Sequence, residues 1–385
     1  MDNKTTKLVA LLALAAAIQT SANAGSLEDR VAKLEKQQKT LGDIDIFGRL
    51  QYDHTVIASD STILDLQNNS KLRRGRIGVK GKVDGGWKYK FEIDFASNNS
   101  KVTDAYLAKN LDDSSVIKIG QFKEPFSLEE LTSSRFTTFI ERSAINGFVP
   151  GRNIGVGYNR YYDNFNVQAG IFGDSVGDSS SADNESTSAT ARFTNFGNIA
   201  GSTYHLGAAY RASKPTGDSV TYSFKPEASV ETSSSVIKAT ITNANSVEQI
   251  GLELAYVAGP FSVQGEYIST EIETEGVGDQ KLDGYYGQVS LFLSDDQRSY
   301  NKRKSAFERV KPKSDQGALE IAYRYSEVDS QEANAGIIKN TTVGVNWYAS
   351  NNVRFSTNYV WVDADVNTVY GNDAEIFSAR AQLDF

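Results

Sequence analysis

From Ile44 onward the sequence repeats with a period of two, and this alternation constrains the fold more than any other feature. Trp87, Tyr89, Phe91, Ile93 and Phe95 alternate with Lys88, Lys90, Glu92 and Asp94. Leu319, Ile321, Tyr323 and Tyr325 alternate with Glu320, Ala322, Arg324 and Ser326, and Val343, Val345 and Trp347 alternate with Thr342, Gly344 and Asn346. Val353, Phe355, Thr357, Tyr359 and Trp361 do the same against Arg354, Ser356 and Asn358. A period of two puts successive side chains on opposite faces of a strand. A soluble sandwich also alternates, but its strands are short and share one core. These runs are about ten residues long, which is what a tilted strand needs to cross a bilayer.

The connections alternate as well. Short ones (83–86, 162–164, 258–260, 350–352) interleave with long ones (57–69, 172–187, 212–246, 270–281, 363–373). Tight turns at one end and long loops at the other are the habit of outer-membrane barrels. The predicted count is 16 strands, an even number that returns the C-terminus to the side where the chain began. In the last strand Phe377, Ala379, Ala381, Leu383 and the terminal Phe385 share one face, with Arg380 and Gln382 on the other. A terminal Phe on an alternating strand is like the recognition signal of such barrels.

The N-terminal end supports export. Lys4 and Lys7, the apolar run Leu8 to Ile18 and Ala22-Asn23-Ala24 read in order as a signal peptide over residues 1–24. Residues 25–42 form the one expected helix, a periplasmic coiled coil with Leu27, Val31, Leu34, Gln38 and Leu41 on a heptad seam. Two heptads are marginal alone, so the seam suggests subunits already associated, a trimer being the plausible number. The remainder, 43–385, is expected to be a 16-stranded antiparallel transmembrane β-barrel, all-β, embedded in outer-membrane lipid of a Gram-negative bacterium.

Composition excludes several alternatives. No stretch after the leader is long and apolar enough for a membrane helix. The chain has no cysteine and two histidines, His54 and His205, far apart, so thiolate and imidazole metal sites are not supplied. A barrel enzyme needs a nucleophile with a base in reach, and neither histidine sits in such a context. No cofactor and no nucleic-acid partner is called for. A structural tether without conductance remains a competing possibility. The net charge of −8 bears on the surface field and not on what passes a pore.

A barrel of this size encloses water, and its inward side chains and folded-in loops set selectivity. Arg74, Arg76, Lys80 and Lys82 lie opposite Ile77, Val79 and Val83, so they are expected in the lumen; Arg73 has the outward parity and is expected near a strand end or in a subunit contact. Lys118 falls inward between Ile117 and Ile119, just before the long segment 124–152, in which Ser127 to Glu130 resembles a capping box. Residues 298–313 carry Arg298, Lys302, Arg303, Lys304, Arg309, Lys311 and Lys313 against Glu308. A long basic insertion at the short-turn end either folds back into the lumen or stays a solvated basic loop.

At these residues a resemblance emerges. Phe47 to Gln51, Leu72 to Arg74, Trp87 to Lys90, Lys123 to Ser134 (with the distinctive Glu-Pro-Phe-Ser-Leu-Glu-Glu-Leu), Glu141-Arg142, Ala322 to Tyr325 and Gly344 to Tyr348 resemble the phosphate-selective porin O/P family. The similarity covers nearly all of the chain after the coiled coil. It implies a homotrimer of 16-stranded barrels with an hourglass pore, in which an arginine ladder leads small anions such as phosphate to a constriction. Arg73 and Arg74 match the paired arginines of that ladder, with Lys80, Arg142 and Arg324 along the pore lining. Lys118 and Lys311 match constriction lysines, and Asp94 the aspartate. The third lysine position falls at Asn301, with Lys302 beside it, and Arg76 and Lys109 stand where the family has aromatic residues. The resemblance therefore carries anion preference better than phosphate specificity, and a general porin or an organic-acid channel is the alternative.

Overall fold

The computed structural model describes residues 44–59, 68–96, 100–177, 186–229, 237–276, 278–365 and 373–385. The expected leader and coiled coil lie outside the described residues. Sixteen antiparallel strands close into one barrel, as the alternation predicts. The first eight are β1 (Ile44–Ser59), β2 (Asn69–Val83), β3 (Trp87–Asp94), β4 (Lys101–Asp112), β5 (Ser115–Lys123), β6 (Arg152–Tyr161), β7 (Phe165–Phe172) and β8 (Thr187–Ile199). The second eight are β9 (Ser202–Lys214), β12 (Ala244–Ala258), β13 (Phe261–Thr274), β14 (Gln280–Phe292), β17 (Ala318–Asp329), β18 (Ile337–Tyr348), β19 (Val353–Asp365) and β20 (Ala374–Asp384). β20 pairs back on β1, from Arg49↔Asp384 to Ser59↔Ala374, which leaves no free edge. Two small hairpins stand apart from the wall: β10 (Ser219–Phe224) with β11 (Ile237–Thr242), and β15 (Ser299–Asn301) with β16 (Ala306–Glu308).

Along most of the wall the outward positions are exposed and apolar, among them Ile77, Leu107, Ile171, Leu254 and Phe355. The inward positions are polar and covered, among them Gln249, Gln264, Arg324, Asn346 and Ser356. This is the side-chain order of a barrel in lipid around a polar interior.

Toward the long-loop end of β13 to β20 the order inverts. Ile268, Ile272, Leu282, Val328, Ile338, Val360, Val362 and Ile376 face inward and are buried. The outward positions there are Glu271, Glu273, Asp283, Glu327, Asp329, Asp363, Asp365 and Glu375. Inward apolar residues need a cover, and β10–β11 supplies it: Tyr222, Phe224, Ile237, Ala239 and Ile241 belong to the same buried cluster. Outward carboxylates belong in water, so these strand ends stand beyond the apolar belt. Tyr267, Tyr285, Tyr325, Tyr359 and Trp361 mark the changeover on the outer face, an arrangement suited to a membrane interface.

Candidate functional site

The connection between β5 and β6 does not leave the barrel; residues 124–151 fold into it. Within this inward loop α1 (Leu128–Leu131) is a single turn, followed by a 3-10 turn at Ala144–Phe148. The expected capping box forms by half. Ser127 Oγ accepts from the amide of Glu130 at 3.1 Å, but the Glu130 carboxylate turns to Lys123 (2.7 Å) and Arg142 (3.2 Å). Burial acts to raise the Glu130 carboxyl, yet Arg142 and Lys123 outweigh it and hold it at about 2.

The loop is fastened to one side of the wall, largely through its backbone. Carbonyls of Ser134, Thr137, Thr138, Ile140, Glu141 and Phe148 accept from Gln51, Arg354, Asn346, Arg380, Arg324 and Gln249 respectively. Glu266 of β13 accepts from the amides of Leu128 (2.9 Å) and Glu129 (2.7 Å), two donors the short helix leaves open. Arg324 joins Glu129 (3.1 Å) to Glu227 (2.5 Å), and Glu227 arrives from the β10–β11 connection. Phe126, Leu128, Phe139 and Ile140 are fully buried beneath these bonds. β12 to β20, with β1, thus form a packed wall.

The opposite wall, β2 to β6, keeps its inner face open. Its register stacks cations in successive rungs: Arg76 beside Arg49 of the neighbouring β1, then Lys80 beside Lys90, then Lys82 beside Lys88, with Lys118 one strand further in that last row across Ala108. Gly78 makes this possible, because a Cβ there would meet the Phe47 ring at 2.5 Å. That ring fills the gap and carries the ammonium groups of Lys80 and Lys90 at 5.4 and 5.1 Å. Carboxylates offset the upper rungs: Asp94 meets Arg76 at 2.6 Å, Glu92 meets Arg49 at 3.2 Å, and Asp104 meets Lys90 at 2.5 Å and Arg152 at 2.9 Å. Lys118 has no ion pair among the described residues. Its ammonium lies 4.7 Å from the Tyr106 ring and 4.9 Å from that of Phe122.

Above the rungs, toward the long loops, lies an open chamber of about 970 Å³. Lys71, Arg73, Arg74, Arg76, Lys101, Arg142 and Lys225 line it, against Asp94, Glu141 and Glu227. At the other end β15–β16 fold back into the lumen, one of the two alternatives for the basic insertion. Asn166 donates to the Lys302 carbonyl (2.6 Å), Arg192 to the Ser305 carbonyl (2.9 Å), Tyr300 pairs with His205 (2.6 Å), and the Phe307 amide donates to Thr132 of the inward loop (3.2 Å). Lys302, Arg303 and Lys304 are exposed at its tip.

Three expectations need correction, the first being Arg324, which is fully buried against Glu129 and Glu227 and does not line the pore. Arg73 does not lie at a strand end or in an outward contact. The register slips between Gln51 and Tyr52, so Gln51 pairs with Arg74 and Tyr52 with Leu72. Arg73 is the extra residue of a β-bulge, which re-aims a side chain; it turns inward and grips Glu141 through Nε and Nη2, both at 2.9 Å. Lys109 does not belong to a constriction. It shares the outward parity of Leu107 and lies across from Trp87, its ammonium 5.4 Å from the indole. The remaining candidates are dispersed. Arg76 and Asp94 form one pair, Arg74 and Arg142 line the chamber, and Lys80 meets Asp45 at 3.0 Å. Asn301 accepts from the Lys304 amide, and Lys302 and Lys311 are exposed at the short-turn end. Sequence reasoning did not single out Arg49, Lys90, Lys225 or Glu141; inward parity of Lys90 beside Lys80 was the available signal.

Comparison with known proteins follows the same lines. The family model described as Phosphate-selective porin O and P matches residues 44–385. Porin O of Pseudomonas aeruginosa is 26% identical over 88% of this chain and 87% of its own length. A protein of Caulobacter vibrioides is 24% identical over 88% of this chain and 73% of its own. Among solved structures, the anion-selective porin from Comamonas acidovorans aligns with a TM-score of 0.57 at 13% identity, covering 89% of this chain and 99% of that one. The trimer form of OmpT from Vibrio cholerae aligns with a TM-score of 0.55 at 14% identity, covering 89% and 99%. These structural likenesses establish the shared fold.

Proposed function

The chain belongs to the Phosphate-selective porin O and P family, and from that premise we propose that it passes small anions by passive diffusion, phosphate being the first candidate. Family membership makes it an outer-membrane channel of a Gram-negative bacterium and not an enzyme. The observation that carries the anion reading is Lys118, a lumen-side ammonium with no carboxylate partner among the described residues, at the foot of a basic staircase. A desolvated anion needs donors, and charge-assisted hydrogen bonds are the strong ones. Lysine is a compact point charge, so it can hold an ion and release it, which conduction requires.

In this reading the chamber collects anions, the rungs of Arg76, Lys80 and Lys90 hand them down, and Lys118 stands at the throat. Lys302 and Lys311 then act at the exit, and Asp94 orients Arg76 without itself touching the ion. A homotrimer is the expected assembly, supported by the trimer form of a protein with the same fold. A channel for larger organic anions is the second reading, favoured by the chamber volume, which far exceeds one phosphate. Planar-bilayer recording tests both. A salt gradient should give a reversal potential of anion preference, and a cation-selective value would end the proposal. Phosphate should block chloride current at lower concentration than succinate or sulfate; succinate blocking before phosphate supports the organic-acid channel.

A further inference from the structure

Glu141 meets three guanidinium groups where the inward loop passes beneath the outer chamber. Its carboxylate takes both prongs of Arg73, Nε and Nη2, each at 2.9 Å. Its Oε1 also meets Arg380 Nη2 at 2.9 Å and Arg74 Nη1 at 3.5 Å. The parallel fork on Arg73 is the same match a guanidinium makes to a phosphate.

The three arginines are not equivalent. Arg380 is fully buried and holds a second carboxylate, Asp53, at 2.6 and 2.7 Å. Arg74 is nearly buried and has Gln51 at 3.1 Å. Arg73 is 32% exposed, lines the chamber, and has no other acid among the described residues. Glu141 is therefore held from behind by Arg380 while occupying the fork of Arg73, the most exposed of its three guanidinium partners. An ion arriving in the chamber meets that fork already filled.

We propose that Glu141 is a specificity-determining residue: a tethered carboxylate that competes with the passing anion for Arg73, yielding Arg73 when an anion binds while keeping Arg380. The proposal rests on the anion-channel reading. Its physical purpose is release, since a fork left empty would bind a dianion tightly and slow its exit. The competitor also stays charged: burial would raise the carboxyl, but Arg73, Arg74 and Arg380 outweigh burial and hold it well below the usual carboxylate range. Mild acid cannot remove it, so substitution must.

The test is block of single-channel chloride current by inorganic phosphate in the intact protein. Glu141→Gln should lower the half-blocking phosphate concentration by roughly tenfold, about one charge-assisted contact restored to the ion. Adding Arg73→Gln should cancel that gain. Glu141→Asp, one methylene shorter, keeps the charge but loosens the fork; it should give a smaller shift in the same direction, and it serves if the first variant does not fold. An unchanged or raised half-blocking concentration in the folded variant, with anion preference retained, overturns the proposal and leaves the channel reading intact. A cation-selective wild-type protein would remove both.

Discussion

On the wall from β12 to β20, inward Arg324, Arg354 and Arg380 are spent on Glu129, Glu227, Asp53 and the carbonyls of the inward loop. On the wall from β2 to β5, inward Lys88 and Lys118 have no carboxylate partner among the described residues, and Lys88 reaches the side-chain carbonyl of Asn110. Both walls obey the same alternation and both carry cations inside. What separates them is the loop: residues 124–151 bring acceptors to the wall from β12 to β20 and, through Glu130 and Glu141, to Lys123, Arg73 and Arg74, but among the described residues they bring none to Lys88 or Lys118. Inward charge is therefore not the same as pore charge. A guanidinium enclosed by acids and carbonyls holds the loop in place, whereas an ammonium without a partner is left to act on a passing ion.

That contrast can be broken at its strongest point. Arg324→Ala would leave Glu129 and Glu227 buried without their shared counter-ion, a loss of about 3–5 kcal/mol for this type of site. Thermal unfolding in detergent should show it, and channel recordings should become noisier as the loop loosens. A variant of unchanged stability would mean that the packed wall does not depend on this node. Lys118→Glu should do the reverse. It reverses a charge that no carboxylate among the described residues offsets, so the anion-to-cation permeability ratio should fall by about tenfold, or ~1.4 kcal/mol, with unfolding temperature nearly unchanged. If stability falls and selectivity stays, the two walls have been assigned the wrong way round. Lys302→Ala and Lys311→Ala, at the exposed exit, should each lower the ratio by less than about twofold, because solvent and salt screen such charges.

The wall was legible in the sequence because a period of two survives any tertiary context, and the register of Trp87 to Asp94 is the one that alternation demands. The interior was legible in part. Lys118 sits in a regular strand, so parity alone placed it inward. Arg73 defied parity because a bulge is set by how β1 and β2 pair, and no residue in Leu72-Arg-Arg-Gly announces it. Ile272, Leu282 and Val328 were also beyond reach: alternation states that two faces differ, and only the loops decide which face is in water. The return of residues 298–313 into the lumen could be anticipated as one of two alternatives, since so many cations at a place for a tight turn need acceptors, and Gln264, for one, takes Arg298 at 2.9 Å.

The smallest effect is expected at Lys109, and it sharpens the comparison most narrowly. Lys109 and Lys118 lie on adjacent strands, where Lys109 pairs with Ile117 and Lys118 with Ala108, one residue apart in register and on opposite faces. Lys118 looks into the lumen; Lys109 stands outside against Trp87, an aromatic and a long cationic stem of the kind that anchor at a membrane interface. Lys109→Ala should therefore leave the reversal potential unchanged and remove at most the ~0.5–1 kcal/mol of an exposed cation–π contact. Bilayer recording of Lys109→Ala beside Lys118→Ala decides the matter: equal shifts in selectivity would mean that Lys109 reaches the pore, and with it that the parity of β4 does not govern what the ion meets.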